Sequence, residues 1–104
     1  MASLSEAQST QYREQGYLIA PLRLSTERVA QLRASLERLI AANPNVRPEK
    51  LVSAHVVGKN GAPNAEGVRG SQDFLDLARD PEILDLVEQV IGPDIILWGC
   101  HVFC

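Results

Sequence analysis

Hydrophobic positions along the chain follow a helical rhythm in three places. Val29, Leu32, Leu36, Leu39 and Ile40 recur at spacings of three and four, which puts them on one helical face. Arg28, Gln31, Glu37 and Arg38 take the other faces, and Ser25 stands where a hydroxyl N-cap belongs. The rhythm stops at Asn43-Pro44, because a residue before proline avoids helical backbone. A second run has Phe74, Leu75 and Ala78 as its inward set over 72–79. Asp80-Pro81-Glu82 then restarts a helix as cap, first-turn proline and dipole-matched acid; Ile83, Leu84, Val87, Val90 and Ile91 share its face, and Gly92-Pro93 ends it. Residues 5–15 are polar, with Glu6 early and Arg13 late, and suit a short helix with Tyr12 as core contact and Gly16 as C-cap.

Alternation or continuous β-formers mark the remaining segments. Tyr17-Leu18-Ile19-Ala20 reads as a short strand stopped by Pro21, and residues 51–57 as a second. Residues 95–104, Ile-Ile-Leu-Trp-Gly-Cys-His-Val-Phe-Cys, read as a third. Trp98, Cys100 and Val102 share one face of it, opposite Leu97, Gly99, His101 and Phe103; both faces are largely apolar, so the inward one is open. A lone strand leaves its backbone groups unpaired. The pattern therefore predicts the front part of a larger β-containing domain. Between the helices, residues 43–70 carry Pro44, Pro48, Pro63, Gly58, Gly61, Gly67 and Gly70, and are expected to form a partly ordered surface loop.

Composition narrows the function. The chain of 104 residues permits one domain. Ten basic residues are scattered among thirteen acids, net charge −3, which argues against nucleic acid or an anionic membrane as partner. At 5% aromatic residues there is no base-stacking platform. The N-terminus lacks the basic patch and apolar stretch of a signal peptide, and the apolar runs are far shorter than the about 20 residues of a membrane span. Two cysteines without an export signal suggest a reducing, cytoplasmic setting.

Candidate chemistry is sparse. A mononuclear iron site of the facial-triad kind uses two histidines and a carboxylate, and on a strand His-x-Asp or His-x-Glu would present two of them on one face. His55 is followed by Val56-Val57 and His101 by Val102-Phe103, so neither has the acid. Both read first as hydrogen-bonded or loop residues. Trp98 and His101 are the candidate substrate-pocket residues; no catalytic, cofactor-binding or metal-ligating residue is assigned. Cys100 and Cys104 lie four apart, roughly 13 Å on a strand at about 3.3 Å per residue, too far for a disulfide or a shared zinc. Gly58-Lys59-Asn60-Gly61 lacks phosphate-loop spacing and reads as a turn, and Glu82, Asp85 and Glu88 as solvated helix charge.

The order of these segments resembles a known family. Gln11-Tyr12-Arg13-Glu14-Gln15-Gly16-Tyr17-Leu18-Ile19-Ala20 is similar to the Tyr-x-x-x-Gly-Tyr/Phe opening of the phytanoyl-CoA dioxygenase family. Phe74-Leu75-Asp76-Leu77-Ala78-Arg79-Asp80-Pro81-Glu82-Ile83-Leu84 is similar to its helix, Asp/His-Pro, helix segment, and Ile91-Gly92-Pro93-Asp94-Ile95-Ile96-Leu97-Trp98 to the start of its first core strand. The resemblance implies an α+β fold: N-terminal helices plus the first strand or strands of a double-stranded β-helix of jelly-roll or cupin-like type, incomplete in this chain. Residues 1–104 would be the N-terminal part of a single domain, with 43–70 its variable loop. It further implies Fe(II) and 2-oxoglutarate in the full-length protein, hydroxylation of a small organic or acyl substrate, and iron ligands from a His-x-Asp pair and a distal histidine. None of those residues carries over to a position here, so the chain alone is expected to bind neither group and to be inactive. The alternative is a non-catalytic α+β interaction module, completed by a partner strand pairing with residues 95–104. Oligomeric state and substrate identity stay open.

Overall fold

The computed structural model describes residues 3–103. Four α-helices are present among them: α1 (Glu6–Gln15), α2 (Thr26–Ala42), α3 (Gln72–Ala78) and α4 (Pro81–Ile91). The chain divides into two units, Met1–Arg23 with Arg79–Ile96, and Leu24–Ala78 with Leu97–Cys104.

In the first unit, α1 is set by its ends. Ser5 Oγ accepts from the Gln8 amide, and the Gln8 side chain accepts from the Ser5 amide, a reciprocal capping box. Gly16 closes the helix at φ 80°, a left-handed conformation that glycine adopts without a Cβ clash, and its N–H donates to Tyr12 O. Helix α4 starts as its sequence predicts, with Asp80 Oδ1 accepting from the Glu82 amide at 3.0 Å and Pro81 in the first turn. Leu4, Tyr12, Leu18, Ala20, Leu86, Val87 and Val90 line a shared apolar cleft, so Tyr12 does face the packing side. The expected α4 face holds at Ile83, Leu84, Val87 and Val90, all half-buried, and is widened by Leu86, which is buried; Ile91, at the helix end, is 54% exposed. The Leu4 amide, just before α1, donates to Gln89 Oε1 of α4 at 2.7 Å.

In the second unit, Leu39 of α2 is buried with Leu51, Ala54 and Val68, and Leu36, Ile40, Val46, Phe74, Cys100 and Val102 pack around them. Leu51, Ala54 and Val68 all come from the proline- and glycine-rich segment 43–70. Two asparagines order that segment. Asn43, itself buried, donates through Nδ2 to Leu39 O (2.8 Å) and Arg69 O (3.0 Å), and its Oδ1 accepts from the Arg69 amide at 2.7 Å. The carboxamide thus serves both backbone groups of Arg69, as a neighbouring strand would. Asn64 donates to Ser53 O and Val56 O and accepts from the Glu66 and Val68 amides. Gly70 passes so close to this loop that a Cβ there would overlap the Val56 carbonyl.

The expected α+β architecture is corrected. Among the described residues there is no strand or sheet, so the opening of a double-stranded β-helix is not seen; the chain is helices joined by hydrogen-bonded loops. The β-formers find almost no ladder. One antiparallel bridge joins Val52 to His101, flanked by Ala54 N–H to Cys100 O (3.1 Å) and Val102 N–H to Leu51 O (3.2 Å). It cannot propagate because Ser53 sits at φ 56° and the chain turns, with Val56 N–H reaching back to Ser53 O. Residues 17–19 alternate, with Tyr17 and Ile19 exposed and Leu18 half-buried, but Ala20 is exposed and the expected strand has no pairing. Cys104 lies outside the described residues.

Replacing Asn43 by Ala removes three hydrogen bonds at a buried position, and should destabilise the chain by about 3 kcal/mol in urea denaturation. Asn43→Asp should cost at least as much, because it turns a carboxylate towards the Leu39 and Arg69 carbonyls. A loss below about 0.5 kcal/mol for both, the scale of an ordinary surface substitution, would remove Asn43 from its structural role.

Candidate functional site

The best-defined polar cluster lies between α2 and α3. Arg28, Gln31, Ser35 and Arg38 follow one another on α2 at spacings of three, four and three, and so project to one side. Asp73, in the first turn of α3, faces them. Ser35 is 4% exposed, and its Oγ lies 2.7 Å from Asp73 Oδ2 and 3.0 Å from Gln31 O. A hydroxyl has one proton to give, and the shorter, charge-assisted contact to the carboxylate is the stronger acceptor. Arg38 Nη2 donates both to Ser35 Oγ (3.0 Å) and to Asp73 Oδ2 (3.2 Å), closing a three-membered network. The Ser35 hydrogen bond, then the Arg38 hydrogen bond and charge, hold the Asp73 carboxyl below its ordinary value, with a further pull from Arg28. These residues, with Leu32 and Ala34, line a cleft of about 310 Å³.

The pattern of the sequence did not reveal this cluster. Arg28, Gln31 and Arg38 read as the solvated side of an amphipathic helix, and Ser35 had no motif around it. The available signal was a polar stripe at helical spacing, and its partner Asp73 is 38 residues from Ser35.

The residues singled out from sequence lie elsewhere. Trp98 is 99% exposed and His101 is exposed, with its ring 6.3 Å from that of Phe103 at a tilt of 51°. The inward side of the terminal segment is settled at its end: Cys100 and Val102 pack on the core while His101 and Phe103 are exposed. Neither Trp98 nor His101 lines the Ser35 cleft. Burial pushes the Cys100 thiol up from its usual value, which keeps it protonated and a poor nucleophile at neutral pH. Residues 59–61 form a single turn, as their sequence suggests.

An iron site of two histidines and a carboxylate does not fit the residues present. His55 Nδ1 is buried without a hydrogen-bond partner. Yet among the described residues no three His, Cys, Asp or Glu side chains come together around it or anywhere else. Among the same residues no helix is long and apolar enough to cross a membrane.

Sequence comparison supplies what the local geometry does not. The family model for phytanoyl-CoA dioxygenase (PhyH) matches residues 12–104. That span is most of the chain and, Gln11 apart, includes the segments on which the resemblance rests. The chain belongs to the phytanoyl-CoA dioxygenase family. No curated protein and no solved structure matches it.

The Ser35–Arg38–Asp73 network has a definite pH signature. Because Asp73 releases its proton more readily folded than unfolded, the network stabilises the fold above the ordinary carboxyl value of 3.8 and loses that contribution as pH falls through the lower folded value. Asp73→Asn should therefore cost about 0.5 to 1 kcal/mol at neutral pH, small because the ion pair is partly solvated. The variant's deficit should shrink as pH falls below the ordinary carboxyl value of 3.8 and the Asp73 carboxylate takes up its proton, in a urea-denaturation series. A deficit unchanged across that range would show that the carboxylate charge is not what matters.

Proposed function

We propose that the protein acts as a non-haem Fe(II)- and 2-oxoglutarate-dependent dioxygenase that hydroxylates a small organic or acyl substrate. The family match over residues 12–104 carries this reading. In it, residues 1–104 are the N-terminal part of one oxygenase domain, with 43–70 its variable loop. The cofactor pair would supply the oxidising power for attack on an unactivated C–H bond. The described residues supply no donor set for iron; in this reading the ligands come from polypeptide outside these residues. Trp98 and His101 remain candidate substrate contacts, since both are exposed on a segment held to the core through Cys100 and Val102. A small molecule is the partner, with no role for nucleic acid or membrane. Cytoplasmic residence belongs to the same reading and rests on the sparing use of cysteine.

A second reading draws on a different observation. Trp98 and Phe103 are 99% and 92% exposed on a segment paired at one residue only. A non-catalytic module whose terminal segment pairs with a partner strand would cover them.

Succinate formation from 2-oxoglutarate separates the two. The chain alone, given Fe(II) and O₂, should form none above the metal-only background. The same residues within the complete gene product should form succinate, and a chelator should abolish it. A complete gene product that makes no succinate, while the 104 residues behave as a cooperatively folding monomer or defined dimer, would favour the module and end the oxygenase reading.

A further inference from the structure

We propose that the cleft between α2 and α3 is a binding site for the phosphate group of a small organic ligand, with Arg28 and Arg38 as its clamps and Gln31 as a neutral donor. The proposal concerns a site separate from any iron chemistry and stands or falls independently of it.

The charges are unbalanced in the direction an anion needs. Two guanidinium groups line the cleft against a single carboxylate, Asp73, and that carboxylate is already engaged by Ser35 and Arg38. Arg28 is the odd member. It stands in the first turn of α2, where its amide is capped by Ser25 Oγ, and a cation there opposes the positive end of the helix dipole. It is half-buried, and among the described residues it makes no ion pair. For the helix itself that placement is unfavourable. For an anion in the cleft it adds an unspent guanidinium to the field of the helix end.

Arg38 is prepared differently. Its Nη2 donates to Ser35 Oγ and Asp73 Oδ2, which tethers the guanidinium at the cleft and leaves its other N–H groups available. Asp73 and buried Ser35 are thus positioning residues. Two guanidinium groups approaching from different turns of one helix suit a phosphate, whose three acceptor oxygens point in different directions. The two coplanar oxygens of a carboxylate are satisfied by one arginine. A volume of about 310 Å³ exceeds what the phosphate alone fills and lies at the small end of pockets that hold organic ligands.

The test is a titration of the 104-residue chain with phenyl phosphate and, separately, with benzoate, at low ionic strength in a phosphate-free buffer, followed by amide chemical shifts. Saturable phenyl phosphate binding is expected, with the largest shifts at Arg28, Gln31 and Arg38, and benzoate weaker by about tenfold. Arg28→Gln and Arg38→Gln should each weaken phenyl phosphate by about tenfold. Arg33→Gln, on the same helix but about 140° round from Arg28 at 3.6 residues per turn, should leave it unchanged. Absence of saturation, equal affinity for benzoate, an Arg28→Gln variant that binds like the parent, or an equal loss in Arg33→Gln would each overturn the proposal.

Discussion

The carboxamide of Asn43 is where α2 stops and the long loop is gathered in. Its three hydrogen bonds reach one turn back to Leu39 and 26 residues forward to Arg69. The length-dependent part of closing a 26-residue loop costs about 3 kcal/mol, and three hydrogen bonds at about 1 kcal/mol each are of the same size. The tie therefore does little more than offset closure. What it achieves is geometry: it brings Leu51, Ala54 and Val68 against Leu39, and burial of such side chains contributes about 1.5 to 3 kcal/mol apiece for leucine and valine. Asparagine is suited to this because one side chain offers a donor and an acceptor at the spacing of a peptide group.

Much of the helical framework was legible because its signals are local. Ser25 and Asp80 cap the helices they were expected to cap, and Gly16 and Gly92 end theirs; the Ser5 capping box was not anticipated. The β-segments were misjudged for a physical reason. A run such as Leu51-Val52-Ser53-Ala54-His55-Val56-Val57 states a preference for extended backbone, but a strand exists only with a ladder beside it. Ser53 in a left-handed conformation breaks the run after one bridge, and side-chain bonds from Asn64 to Ser53 and Val56 stabilise the turn instead. Such long-range side-chain to backbone bonds leave no periodic trace, so the packing of 43–70 could not be read from spacing.

The functional reading divides along the same line. Family membership rests on ordered local motifs, and these were visible in Tyr12 to Ala20, in Phe74 to Leu84 and in Ile91 to Trp98. The α2–α3 cleft depends on a contact between Ser35 and Asp73 that no motif announces. His55 illustrates the limit from the other side: its Nδ1 is buried and unpartnered, but among the described residues it belongs to no group of three His, Cys, Asp or Glu side chains. Chemistry at a site requires convergence, and convergence is a property of the folded chain.

Amide hydrogen exchange at Arg69 tests the central role of Asn43 most directly, since that N–H donates to Asn43 Oδ1 at 2.7 Å on an otherwise exposed residue. Protection at Arg69 comparable to that of the α2 interior is expected, because the bond should break only when the Leu39–Leu51–Ala54–Val68 core opens. Exchange at the rate of an unprotected loop amide, with α2 still protected, would contradict the account.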